Sequence, residues 1–250
     1  KTIKHRKHRC RHRQEIKKSI RGFIIEINKI YQKDGLEELR KIANGYFDLT
    51  ITDPPYGIGK MVSGTMSKER LHKTRYDEFE DSEEYVRDVV IPIIKECIRV
   101  SKRVIVTPGS KCMMYYPKPD SFGCLFSNSA KGMQLWGSMD SQPIFYYGRP
   151  FDIGKRIHRC SFEVYEQPSC KEHPCSKPIK LWRKIIKLRT KEGDLVLDPF
   201  MGSGTTAVGC KQLGRKFIGF EISKKYCELA EKRLSQDTLL GFRPQMNQND

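Results

Sequence analysis

The stretch LVLDPFMGSGTTAVGCKQLGRKFIGFE, Leu195 to Glu221, restricts the fold more than any other part of this 250-residue chain. LVLD reads as a buried strand, TTAVGCKQLG as a helix ended by Gly214, and RKFIGFE as a second strand. Gly202, Gly204 and Ala207 stand at G-x-G-x-x-G/A spacing between strand and helix, and Glu221 follows about twenty residues on. Glycines there let the backbone turn tightly and approach a ligand, and an acid at the end of the next strand can accept hydrogen bonds from two ribose hydroxyls. An adenosine-bearing cofactor is expected. The fingerprint alone does not choose between a nicotinamide dinucleotide and another such cofactor, and it lacks the G-x-x-x-x-G-K-[ST] spacing of an NTP-binding loop.

The rest of the chain alternates in the same way. KIYQKD reads as a strand ending at Asp34, GLEELRKI as a helix, and DLTIT as a strand running into Asp53. SEEYVRDVVIPIIKECIRV is an amphipathic helix disturbed near Pro92, KRVIVTPG a buried strand, KPIKLWRKIIKLRT a helix, and SKKYCELAEKRL a last helix with Ser223 as its N-cap. Strands alternating with helices predict an α/β fold, a mostly parallel sheet covered on both faces. Residues 108–170 are different. They are rich in Pro, Gly, Met and aromatics, and QPIFYYGR is the best strand candidate among them.

The strand DLTIT ends abruptly in DPPYG, Asp53 to Gly57. Prolines stop strands and glycine makes turns, but a carboxylate and an aromatic ring at that point need a reason of their own. The charge supplies a context. The net charge is +17, with KTIKHRKHRCRHR at the start, and so large a surplus implies a polyanionic partner. Nine cysteines, no signal-peptide pattern and no apolar run of membrane-spanning length predict reduced thiols in a cytoplasmic or nuclear compartment and no membrane partner. Cys170, His173 and Cys175 lie close together, but their spacing does not match a zinc pair and no second pair completes four ligands, so no metal is expected. The chain begins at Lys1 without an initiating Met, and a preceding segment is expected.

Read together, DPPY and DPFMGSGTT resemble the amino-methyltransferases that use S-adenosylmethionine to methylate exocyclic amines of DNA bases. DPPY coming first resembles the permuted β class of that family. HPCSKP, just upstream of the glycine motif, is similar to the family's HPxxKP segment, and IYQKDGLEEL to the strand-plus-acid segment before DPPY. These segments span about two-thirds of the chain.

The resemblance implies a Rossmann-like methyltransferase fold with a small inserted target-recognition region. The parts would be a basic arm (1–22), the first catalytic part (23–107), the recognition region (108–170), the second catalytic part (171–235) and a C-terminal tail (236–250). Asp53 and the Pro54 carbonyl would accept the two N–H bonds of the target amine on a backbone fixed by Pro54 and Pro55. Tyr56 would stack on an extruded base. Asp53, Asp198, Pro199, Phe200, Gly202, Ser203, Gly204, Thr205 and Thr206 would line the cofactor site, and Glu221 would bind its ribose. Asp34 would reach the cofactor's adenine, although KD stands where the family more often has GD. His173 and Lys177 would lie near its carboxylate end.

DNA is the implied partner, with Lys60, Lys68, Arg70, Lys73 and Arg75 after DPPY, and Arg149, Lys155, Arg156 and Arg159 in the recognition region, as candidate contacts. Trp136, Tyr146 and Tyr147 read as core. A homodimer is expected, since the recognition region is small. A cognate restriction endonuclease accompanies some members and not others. A prokaryotic or phage origin and a cytoplasmic location follow from the resemblance. Asp at position 53 favours adenine N6 over cytosine N4, where Ser is more frequent. Methylation of RNA, or of protein glutamine as with the related NPPY motif, is the more distant alternative.

Overall fold

The computed structural model describes residues 18–20, 23–58, 81–127, 133–134, 137–138, 140–150, 159–164 and 176–239. A short hairpin, β1 (Lys18–Ile20) and β2 (Phe23–Ile25), precedes the main fold. The chain then runs through β3 (Lys29–Gln32), α1 (Gly35–Arg40), β4 (Leu49–Thr52), α2 (Glu83–Tyr85), α3 (Ile91–Val100) and β5 (Val104–Val106). Next come β6 (Ser121–Phe126), a small hairpin of β7 (Met133–Gln134) and β8 (Gly137–Ser138), β9 (Ser141–Tyr147) and β10 (Phe162–Glu163). The last segment is α4 (Ile179–Arg189), β11 (Leu195–Asp198), α5 (Thr205–Gln212), β12 (Lys216–Glu221) and α6 (Lys224–Leu239).

Eight strands form one sheet in the order β10-β6-β9-β5-β4-β11-β12-β3. From β3 across to β5 every pairing is parallel, and β9 then runs antiparallel to both β5 and β6. The strands alternate between two cores, as their period of two requires. Val104, Val106, Leu197, Ile218 and Phe220 face α1 and α3, whereas Ile105, Val196 and Phe217 face α4, α5 and α6. All four residues of β4 are buried: Leu49 and Ile51 pack in one core, and on the other face the Thr50 and Thr52 hydroxyls pair with Ser101 and Asp198.

The expected disturbance near Pro92 is a π-helical turn over Val86–Val90. Pro92 has no N–H to return to the residue four positions back. The Ile91 N–H bonds instead to the Val86 carbonyl, and this one-residue slip absorbs the missing bond. Pro143, in the interior of β9, is tolerated for a related reason. The β5–β9 ladder covers only Phe145 to Tyr147, so Pro143 lies beyond the end of β5. The strand expected to end at Asp34 ends at Gln32, because the Asp34 carboxylate caps α1 by accepting the Leu36 N–H at 2.7 Å. Strands β6, β9 and β10, all within residues 108–170, complete the main sheet rather than forming a separate layer. Among the described residues no helix is long and apolar enough to cross a membrane.

Candidate active site

Strands β4 and β11 are parallel neighbours, so DPPY and DPFMGSG leave the same edge of the sheet side by side. This is the position outside the carboxyl ends of the strands where open α/β sheets bind ligands. The two motifs are joined directly: the Thr52 hydroxyl donates to Asp198 Oδ1 at 2.7 Å. Asp198 also accepts from the Thr206 hydroxyl at 2.6 Å and the Phe200 N–H at 3.1 Å, and the Trp182 indole N–H closes the set onto Thr206 at 2.9 Å.

Burial pushes the Asp198 carboxyl up to about 6, against the hydrogen bonds that favour its charged form. Its folded value lies above the unfolded one, so the stability it contributes is present below about pH 4 and is lost as pH rises through about 6. Asp198→Asn is permanently neutral. The unfolding free energy of the native protein relative to that variant should fall by about 3 kcal/mol between roughly pH 4 and pH 7, measured by denaturant titration at each pH.

The glycine turn is cut to fit. Gly202 and Gly204 have φ of +51° and +80°. Glu221, at the end of β12, accepts the Gly202 N–H at 2.8 Å and the Ser223 N–H at 2.9 Å, so the acid is rigid and ties its own strand to the turn. Burial raises its pKa. From α6, Arg233 donates to the Ser203 carbonyl at 2.5 Å, the Ser203 hydroxyl at 2.9 Å and Thr205 Oγ1 at 3.3 Å, bracing the turn from outside.

Asp53 is held from within its own turn and from two other segments. Its Oδ1 accepts from the Tyr56 hydroxyl at 2.6 Å and from the Thr107 hydroxyl beyond β5, and its Oδ2 pairs with the Lys177 ammonium. Tyr56 Oη in turn accepts from Lys177 Nζ and from Gln142 Nε2, each at 2.6 Å. The turn itself is fastened by Asp81, whose Oδ1 accepts the Gly57 N–H at 2.6 Å. Burial raises the Asp81 pKa although the Gly57, Tyr56 and Ile58 N–H groups oppose it. Gly109 permits the close approach, since a Cβ there would stand 2.5 Å from Tyr56 Cβ.

Both motifs face one solvent-open cleft with about 1050 Å³ of empty space. Asp53, Pro54, Pro55 and Tyr56 line one part, and Asp198, Phe200, Gly202, Ser203, Thr205, Thr206 and Glu221 another, with Ser176 and Lys177 between them.

Residues 127–232 match the family model described as DNA methylase, the N6/N4 group. The type II methyltransferase M.HinfI of Haemophilus influenzae is 29% identical over 263 residues, which cover 88% of this chain and 71% of that protein. The type II methyltransferase M2.DpnII of Streptococcus pneumoniae is 28% identical over 244 residues, 83% of this chain and 90% of that protein. Over residues 127–232 the chain matches the DNA methylases of the N6/N4 group, and along more than four-fifths of its length it is similar to type II DNA methyltransferases. Its fold is shared with the crystal structure of the M1.HpyAVI–SAM complex, with a TM-score of 0.55, 24% identity, and coverage of 82% of this chain and 98% of that one.

Several residues are placed differently from the expectation. Asp34 and Pro199 do not line the cleft, nor does Gly204, which acts as the N-cap of α5. Lys177 reaches Asp53 and Tyr56, the acceptor side of the cleft. Tyr146 and Tyr147 are buried, as expected of core residues, and donate their hydroxyls to the Cys160 and Pro117 carbonyls. Arg149 and Arg159 are exposed and away from the cleft lining. His173, Trp136, Lys60, Lys68, Arg70, Lys73, Arg75, Lys155 and Arg156, the basic arm, and Cys170 and Cys175 lie outside the described residues. Thr107, Gln142, Asp81 and Arg233 are contributors that no sequence spacing pointed to.

Proposed function

We propose that this protein transfers the methyl group of S-adenosylmethionine to the exocyclic N6 amine of adenine in DNA. The observation that carries the reading is the shared cleft, in which the Asp53–Tyr56 turn and the glycine turn with Glu221 open onto one space. The cofactor site is a fit on its own terms: a turn of positive-φ glycines, and a buried carboxylate locked by backbone N–H groups so that it can only accept. Glu221 would hold the ribose hydroxyls, and Gly202, Ser203 and Thr205 would approach the rest of the molecule. When bound, the cofactor supplies a methyl group activated by its sulfonium.

The adenine amine is a poor nucleophile because its lone pair is delocalised into the ring. Asp53 and the Pro54 carbonyl, as acceptors for its two N–H bonds, localise that lone pair and aim it. Tyr56, fixed through its hydroxyl, presents a ring for the extruded base. Asp53 orients rather than deprotonates, and the surplus proton leaves to water after transfer. Arg149, Arg159, Lys60, Lys68, Arg70, Lys73, Arg75, Lys155 and Arg156 are assigned to DNA contact, and a homodimer supplies the remaining recognition surface.

Incubation with methyl-labelled S-adenosylmethionine and mixed-sequence duplex DNA tests the reading. Label recovered in DNA supports it, and label absent from DNA despite cofactor binding redirects it to RNA, protein or a missing partner chain. The basic arm has its own expected outcome. Residues 1–13 carry seven Lys or Arg. Every phosphate that the shortened protein no longer neutralises flattens the log–log salt slope of DNA binding by about 0.9. Deleting the arm should weaken binding and flatten the slope; an unchanged slope would make it a solvated tail.

A further inference from the structure

In this structure the oxygen that a target amine needs already carries a donor. Asp53 Oδ1 is committed to Tyr56 and Thr107, so Oδ2 is the oxygen that faces an incoming N–H donor, and the Lys177 ammonium stands on it. The same ammonium donates to Tyr56 Oη at 2.6 Å. Lysine therefore presents an N–H donor to Asp53 Oδ2 as an exocyclic amine would, and a second one to Tyr56 Oη. Both side chains are largely buried, at 14% and 15% exposure, and a carboxylate so placed requires a partner when no base is present.

The ammonium and the amine are not good neighbours during transfer. The amine nitrogen gains positive charge as its bond to the methyl carbon forms, and a fixed ammonium on the same oxygen would oppose that charge. The construction of the segment permits exchange. Pro178 is the N-cap of α4, which anchors the backbone beside Lys177, while the four-carbon lysine stem can swing its Nζ away without moving that backbone.

We propose that Lys177 is a displaceable stand-in for the target base's amine: it keeps Asp53 and Tyr56 paired in the free enzyme and must leave Asp53 Oδ2 for the base to enter. It is a positioning residue that sets how readily the acceptor site opens. The inference rests on the amino-methyltransferase reading of the cleft and adds a competitor to it.

Two substitutions give effects of opposite sign. Lys177→Met removes the competitor and leaves Asp53 seeking a donor, so the KM for DNA should fall about three- to tenfold. Lys177→Arg holds the carboxylate with a planar fork that is harder to displace, so the KM for DNA should rise about tenfold. The Kd for S-adenosylmethionine, measured by calorimetry, should stay within about threefold in both, a split that a general structural defect would not produce. Melting curves check that each variant is folded; if Lys177→Met does not fold, the rise in KM with intact cofactor binding in Lys177→Arg decides alone. Methylation by the native protein together with an unchanged or raised KM in Lys177→Met, or an unchanged KM in Lys177→Arg, overturns the stand-in role and leaves the reaction standing. Failure of the native protein to methylate any DNA overturns both.

Discussion

Asp53→Ala is expected to abolish methyl transfer, lowering kcat about a thousandfold or more, while the affinity for S-adenosylmethionine changes little. The size follows from what the carboxylate holds. Its two oxygens gather Tyr56 of its own turn together with Thr107 and Lys177 from two other segments, and the same group is the acceptor assigned to the amine. Removing it takes away the lone-pair alignment and unlocks the tyrosine ring together. The cofactor's assigned holders, Glu221 and the glycine turn, are braced independently by backbone N–H groups and by Arg233. Alanine also leaves the largely buried Lys177 ammonium without its carboxylate, which costs stability. Asp53→Asn keeps the shape and half the acceptor capacity, so it separates the loss of chemistry from the loss of fold. Near-normal turnover in either variant would remove Asp53 from the mechanism.

The second large effect is on stability. Gly204→Ala should destabilise the protein by about 2–4 kcal/mol, roughly 1 from the left-handed backbone and about 1–3 from forced repacking. Gly204 has φ of +80°, and a Cβ added there would stand 2.7 Å from the Cβ of Ala230, a fully buried residue of α6 that has nowhere to move. At the scale of a domain this size the melting temperature should drop by about 5–15 °C. Gly45 provides the comparison, since its φ is +63° but an added Cβ would meet nothing within 4 Å. Gly45→Ala should therefore cost only the backbone part, about 1 kcal/mol. Equal losses at the two positions would show that the contact with α6 carries no weight.

The sheet and the cofactor turn could be read from the sequence because their determinants are local. A β-branched run, glycines at fixed spacing and an acid one strand later each constrain a few neighbouring residues. The supports of Asp53 could not be read in that way. Thr107 lies 54 residues from Asp53, Gln142 86 from Tyr56, and Lys177 124 from Asp53, and only the strand order brings them together. Asp34 shows the reverse. Its position before a helix suits either a ligand contact or a cap, and the nearest unsatisfied N–H, that of Leu36, claims it. The composition of residues 108–170 hid strand β6 because only alternate residues there are buried, and the exposed ones include Phe122 and Phe126.

The assignment of the acceptor is tested most directly by mass analysis of nucleosides from DNA that the native protein has methylated with labelled S-adenosylmethionine. The label is expected in N6-methyldeoxyadenosine. Label in N4-methyldeoxycytidine instead would keep the fold and the transfer from S-adenosylmethionine but contradict the reading of Asp53 as an adenine-selecting acceptor.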